Sequence, residues 1–201
     1  MTSSPPPVVI SEVSEIAAPS PRVTGGVRWA PLGTTLPTTA LEDLDDAFVK
    51  LGRTKDDGIK RTEDRPNQKQ YDWGGNTIAI LQTSFGLQLQ FELLQLMNAD
   101  VQRAAHGADN VTVIPGGPST GTEIQSVINA ELLPPGVWVF DAYYMKMTGR
   151  LILPYARLTK VDGPNWTHKE LASYKMTLET LPDDNNDHAF EYWNDGILIP
   201  S

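Results

Sequence analysis

Cysteine is absent from the chain, which excludes a disulfide scaffold and any thiolate zinc site. No apolar run approaches the ~20 residues that a helix needs to cross a bilayer. The N-terminus has no basic segment leading into an apolar one, so no classical export signal is expected. Aromatic residues are few, at 8%. Basic residues are outnumbered, 16 Lys and Arg against 25 Asp and Glu. That deficit argues against tight binding along nucleic-acid phosphates, which needs a basic patch. Of the net charge of −9, most gathers between residues 162 and 195, where Lys169 and Lys175 stand against eight acids. Such a block reads as solvated turns.

What is present is 201 residues, 40% hydrophobic and 20% charged. This is enough for one domain plus an arm, and apolar enough to bury a core. Sixteen glycines and sixteen prolines point to a turn-rich β protein. Residues 1–26 hold Pro5, Pro6, Pro7, Pro19 and Pro21, which favour an extended arm over a folded segment. Val8, Val9, Ile10, Val13 and Ile16 nevertheless give that arm an apolar strip suited to packing on a neighbouring molecule. The folded domain is expected to run from residue 27 to 201.

Leu41, Leu44, Phe48 and Leu51 recur at helical spacing behind Thr38 and Thr39 as caps, with Gly52 as a stop, and predict a short helix over 40–51. Residues 53–72 are polar and charge-mixed with almost no apolar anchor. They predict a long loop or loose hairpin turning at Asp57-Gly58. Within it Arg53, Lys55, Asp56, Asp57, Lys60, Arg61 and Asp64 are candidates for contacts between subunits, because complementary charges can set a register. Leu87, Leu89, Phe91 and Leu93 alternate with polar residues as a strand does, and the run 77–83 is its expected hairpin partner. Asn98 caps a second short helix over 99–106, stopped by Gly107. Short strands are expected at 111–114 and 123–128, and strong ones at 137–147 and 150–159. Pro154 in the last marks an edge or a bulge. Thr167–Glu170 resembles a capping box, residues 174–180 alternate, and Asn194-Asp-Gly196 reads as a turn between strands at 190–193 and 197–199. Together these describe a mainly β chain, an antiparallel β-sandwich or barrel with one or two short flanking helices and an extended N-terminal arm.

Catalytic signatures are missing. The glycines of 116–121 have the spacing of a phosphate loop, but Thr122 stands where lysine must be and Glu123 would repel phosphate. In 183–188 the oxygens suit calcium, yet His188 takes the glycine position and Asn194 the bidentate glutamate position. The histidines His106, His168 and His188 are far apart. Neither catalysis nor a bound cofactor or metal is expected.

Several stretches, in order and spacing over some 170 residues, resemble major tail tube proteins of long-tailed, siphovirus-type phages, those infecting actinobacteria in particular. They are Trp29-Ala-Pro-Leu-Gly-Thr34, Ala47-Phe-Val-Lys-Leu-Gly52, Asp57-Gly-Ile59, Asp72-Trp-Gly-Gly75, Phe91-Glu-Leu-Leu94, Ala105-His-Gly107, Leu151-Ile-Leu-Pro-Tyr-Ala-Arg157 and Tyr174-Lys-Met-Thr-Leu-Glu-Thr-Leu-Pro-Asp183. The proline-rich leader before Val27 departs from the pattern. The resemblance implies two packed antiparallel sheets, six-membered rings stacked into a hollow virion tail tube, and assembly in the host cytoplasm. It also implies a lumen that holds a tape-measure protein and later conducts DNA, with tail terminator and distal tail proteins as further partners. An acidic subunit suits DNA that slides without sticking. The alternative is a non-catalytic β-sandwich binding or virion decoration module, with Tyr143, Tyr144, Trp166, Tyr192 and Trp193 as an aromatic platform.

Overall fold

The computed structural model describes residues 18–21 and 26–198. The five apolar arm residues Val8, Val9, Ile10, Val13 and Ile16 lie outside them. The strands are β1 (Ser20–Pro21), β2 (Val27–Pro31), β3 (Val49–Lys50), β4 (Thr54–Asp64), β5 (Asn67–Tyr71), β6 (Thr77–Gln82), β7 (Gly86–Leu93), β8 (Val111–Ile114), β9 (Glu123–Ser126), β10 (Gly136–Tyr144), β11 (Met147–Asp162), β12 (Tyr174–Thr180) and β13 (Phe190–Asn194). Among the described residues one α-helix, α1 (Ala99–His106), interrupts them, followed by a 3-10 turn at Ala108–Asn110. The chain is therefore mainly β and antiparallel, as its alternation predicts.

Nine strands form one sheet in the order β3-β2-β10-β11-β12-β7-β4, with β1 added to β10 and β13 to β11. The sheet folds over on itself because β11 bends. Gly136 lies opposite Ala156 but Trp138 opposite Leu153, so β11 carries one extra residue there, beside Pro154. A proline that cannot donate to the ladder is tolerated at such a bulge. Before the bulge β11 runs between β10 and β13; from Ala156 onward it pairs with β12. The two halves then face each other, and the Phe91 ring of β7 meets Trp138 and Phe140 of β10 at 5.9 and 5.4 Å between centroids. Leu87, Leu89, Leu93, Met176, Leu178 and Leu153 complete this inner core. Helix α1 closes one end with Val101 and Ala105. Its Asn98 cap accepts from the Asp100 N–H, and the Gly107 N–H donates to the Arg103 carbonyl, as expected.

The opposite face of β2, β10 and β11 is covered too. Ala30, Val137, Val139 and Ile152 pack there with Phe48, Leu36 and Leu44. Here the helix expected over 40–51 does not form. Its cap does: the Thr39 hydroxyl accepts from the Glu42 N–H, and the Glu42 carboxylate accepts from the Thr38 N–H. Arg150 ties this capped turn to the sheet. Arg150 Nη1 donates to the Thr39 carbonyl at 3.2 Å and to the Glu42 carbonyl at 2.7 Å. Arg150 and its cross-strand partner Asp141, 2.7 Å apart, are both buried. The apolar residues of the would-be helix then go separate ways, Leu51 into the inner core, Phe48 into the outer one and Leu41 into solvent.

Other expectations are corrected. Residues 77–83 do not pair with 87–93: β6 pairs with β5, and β7 takes β4 instead. The strand expected over 137–147 breaks at Met145, whose φ of 53° makes a tight turn between β10 and β11. Residues 167–170 form a bend without a helical turn. Asn194-Asp-Gly196 turns as expected, through the Asn194 side chain accepting from the Gly196 N–H, but residues 195–198 join no strand.

Replacing Arg150 by Met should cost about 3–5 kcal/mol in denaturant unfolding, because Asp141 is left charged and buried without a partner. Adding Asp141→Leu to that variant should recover much of the loss.

Candidate assembly surfaces

The polar stretch 53–72 is not a loop. Residues 54–64 form the edge strand β4, registered on β7 with Ile59 opposite Phe91 and Arg61 opposite Leu89. Edge pairing rests on backbone hydrogen bonds, so it needs few apolar side chains, and one (Ile59) packs on the core. The Asp57-Gly58 signal marks a bulge within this strand: Gly58 sits at φ 69°, and the register shifts between Thr54 and Ile59. Such a backbone favours glycine. Because β4 belongs to the sheet, the segment is not separable from the fold.

Charges placed on β4 are partly satisfied within the chain. Lys55 Nζ lies 3.3 Å from Glu92 and 3.8 Å from Asp57. Arg61 reaches across to β13, with Nη1 2.6 Å from the Glu191 carboxylate. Among the described residues Arg53, Asp56, Lys60 and Asp64 make no ion pair, so four of the seven predicted contact residues keep their charge free for another molecule. The Arg61 hydrogen bond holds the Glu191 carboxyl below its usual range. Burial pushes the Glu92 carboxyl up, but hydrogen bonds from Ser173 and Lys55 outweigh it and the net shift is downward. Lys55 is raised, chiefly by its hydrogen bond to Glu92.

Beyond Arg65-Pro66 the chain leaves the sheet. Among the described residues strands β5 and β6 pair only with each other, and they form a projecting hairpin. Its base is anchored: the Thr83 N–H donates to the Pro66 carbonyl at 2.9 Å, Arg65 lies 4.5 Å over the Phe85 ring, and Phe85 meets the His188 ring edge-on at 4.7 Å. The tip is built from Asp72. Its carboxylate accepts from the Asn76 N–H at 2.8 Å, and its carbonyl from the Gly75 N–H at 3.1 Å. Hydrogen bonds to the carboxylate, first from the Asn76 side chain at 3.0 Å and then from the Asn76 N–H, lower its pKa. The tip holds Trp73 wholly in solvent, at 105% exposure. Tyr71, Ile78, Ile80 and Leu81 are exposed as well. Sequence reasoning missed this surface, because the apolar run 77–83 reads equally well as a core strand.

The remaining candidates are placed as follows. Tyr143 and Tyr192 lie on one face of the sheet and Tyr144 and Trp193 on the other, by the alternation of β10 and β13, while Trp166 sits in the link before β12. They make no common platform. Residues 183–187 close a polar turn in which the Asp183 carboxylate accepts from the N–H groups of Asn185 and Asp187. Gly117 bridges to Thr120 in a tight turn. Among the described residues no group of three or more His, Asp or Glu side chains could hold a metal ion, and no helix is long and apolar enough to cross a membrane. In comparisons with protein-family models and with curated proteins, nothing matches the chain.

Two carboxyls with lowered folded pKa values stabilise the fold above their unfolded value near 4.5, and that contribution is lost as pH falls through the lower folded values. Melting temperature should therefore hold between pH 7 and about 5 and drop below that. The drop should be smaller in Glu191→Gln and Glu92→Gln. Replacing Trp73 by Ser should leave the melting temperature unchanged, since the indole touches nothing in its own subunit.

Proposed function

We propose that the chain is a structural subunit of a phage tail tube, polymerising as stacked, six-membered rings around a bore that passes DNA. The observation that carries the reading is the β5–β6 hairpin. A two-stranded hairpin is marginal by itself in water, and this one exposes five large apolar side chains far from its own core. Exposed apolar patches of that kind mark surfaces covered by another protein. With about seven residues on each side the hairpin projects roughly 20 Å, enough to reach a neighbouring subunit. Asp64 stands at its base, and the free charges of Lys60, Asp56 and Arg53 follow along β4 away from it, supplying register for that contact.

Open sheet edges supply the second requirement of a polymer. Among the described residues strand β4 pairs only with β7, and β3 only with β2. Unpaired edges invite strand addition from another copy, which would join subunits around a ring. The uncovered face of β12 and β7 carries Lys175, Glu179, Gln88, Gln90 and Glu92, and suits a water-filled bore. The chemistry asked of such a subunit is assembly alone, with no catalysis and no cofactor. Its partners are other copies of itself, a tape-measure protein inside the tube, and terminator and distal tail proteins at the ends. Its place is the virion tail, built in the host cytoplasm.

Negative-stain microscopy of the purified chain at rising concentration should show rings and tubes. Ile80→Asp, or replacement of residues 67–82 by a short Asn-Gly turn, should leave the melting temperature within a few degrees and abolish tubes. A chain that stays monomeric at every concentration, or tubes that persist without the hairpin, would overturn the reading.

A further inference from the structure

The folded sheet is left open between β4 and β13. Along that opening runs an apolar groove of about 230 Å³. Phe140, Ala142 and Leu151 form its floor, Ile59 lies on the β4 side and Trp193 on the β13 side, and the Arg61–Glu191 pair spans it. Gly149 keeps it open: the Trp193 ring lies 2.5 Å from where a Cβ on residue 149 would stand, so the indole is free to lie flat across β11. Both strands flanking the groove have an edge that pairs with no other strand among the described residues.

Where the chain enters this region is informative. Ser20 pairs with Tyr143 and Pro21 with Ala142, antiparallel to β10, and Pro19 touches the groove rim. Traced toward the N-terminus, the chain therefore runs past Tyr143 toward the β10–β11 turn, away from Phe140. Ala18 and Ser20 each precede a proline, which favours extended backbone and disfavours a reversal. Ile16 stands three residues before Pro19 and Val8 eleven, about 10 and 40 Å along an extended chain. A segment of that length, extended, is long enough to reach a second copy.

We propose that the groove is the receptor for the apolar segment at residues 8–16 of a second copy, which docks as an added strand. Main-chain hydrogen bonds from the free edge of β4 or β13 would hold its backbone, and the pocket floor would select its apolar side chains, the usual division of labour in strand addition. In an extended strand Val8 and Ile10 face one way, and they fit the floor formed by Phe140, Ala142 and Leu151. The proposal rests on the assembly reading and adds to it a named donor and acceptor.

The absence of cysteine makes the test direct. Single variants Ile10→Cys and Ala142→Cys are mixed, assembled and oxidised, and cross-linked peptides are identified by mass spectrometry. A disulfide joining position 10 of one copy to position 142 of another is expected, and the double variant should give a ladder of linked multimers on a non-reducing gel. Ala142→Arg, which fills the groove, should raise the concentration needed for assembly by about tenfold with the melting temperature kept. Assembly without the cross-link, or a link confined within one chain, overturns this proposal and leaves the tube reading standing. Failure to assemble at any concentration overturns both.

Discussion

The buried pair Asp141–Arg150 fixes how the outer side of this domain is organised. Taking two charges out of water is costly, and their mutual attraction repays it only when every remaining donor is satisfied. Here the guanidinium spends its spare N–H groups on the carbonyls of Thr39 and Glu42, 108 and more residues away in sequence. That choice pins the 36–48 segment across the sheet and brings Leu36, Leu44 and Phe48 over Ala30, Val139 and Ile152. The pair also spans the central β10–β11 ladder in register. Its value is positional: it fixes where the Thr39–Glu42 turn lies on the sheet.

Once that face is covered, the other surfaces acquire distinct roles. The inner face is a packed aromatic and aliphatic core. The outer face of β12 and β7 stays wet, with amides and carboxylates hydrogen-bonded to one another, such as Gln88 to Glu179 and Ser173 to Glu92. An antiparallel sheet tolerates this one-sided solvation. The apolar surfaces left without cover include the hairpin beyond Pro66 and the groove between β4 and β13. Trp73, Tyr71 and Ile80 stay exposed although the core is complete without them, and the proposed assembly rests on that exposure.

The hairpin also shows how rigidity and exposure coexist. Its tip is held by bonds within residues 72–76, and its base by the Arg65–Phe85–His188 stack, with the His188 Nδ1 2.8 Å from the Thr180 hydroxyl. Neither anchor needs the exposed side chains. The apolar surface is thus presented by a frame that does not depend on it.

The amino-acid sequence by itself determined the features whose causes lie within a few residues. Alternation in 87–93 marked a strand with one buried face, Asn98 and Gly107 bounded the helix between them, and Pro154 announced the bulge that bends β11. In each case the deciding group and its partner are neighbours along the chain. Tertiary structure decided the rest. The helical spacing in 40–51 gave no helix: its apolar residues go to two separate cores, and an arginine more than a hundred residues away ties the Thr39–Glu42 turn to the sheet. The polar stretch 54–64 became a strand because β7 offered it a backbone edge, a contribution no side-chain pattern records. Whether the apolar run 77–83 enters the core or projects from it depends on which strand reaches β7 first in space. For the assembly surface, the predicted charges were legible as a segment, while the hairpin's exposed aromatic and aliphatic side chains were not. Exposure is a property of the packed whole, and the same isoleucines would have read identically inside it.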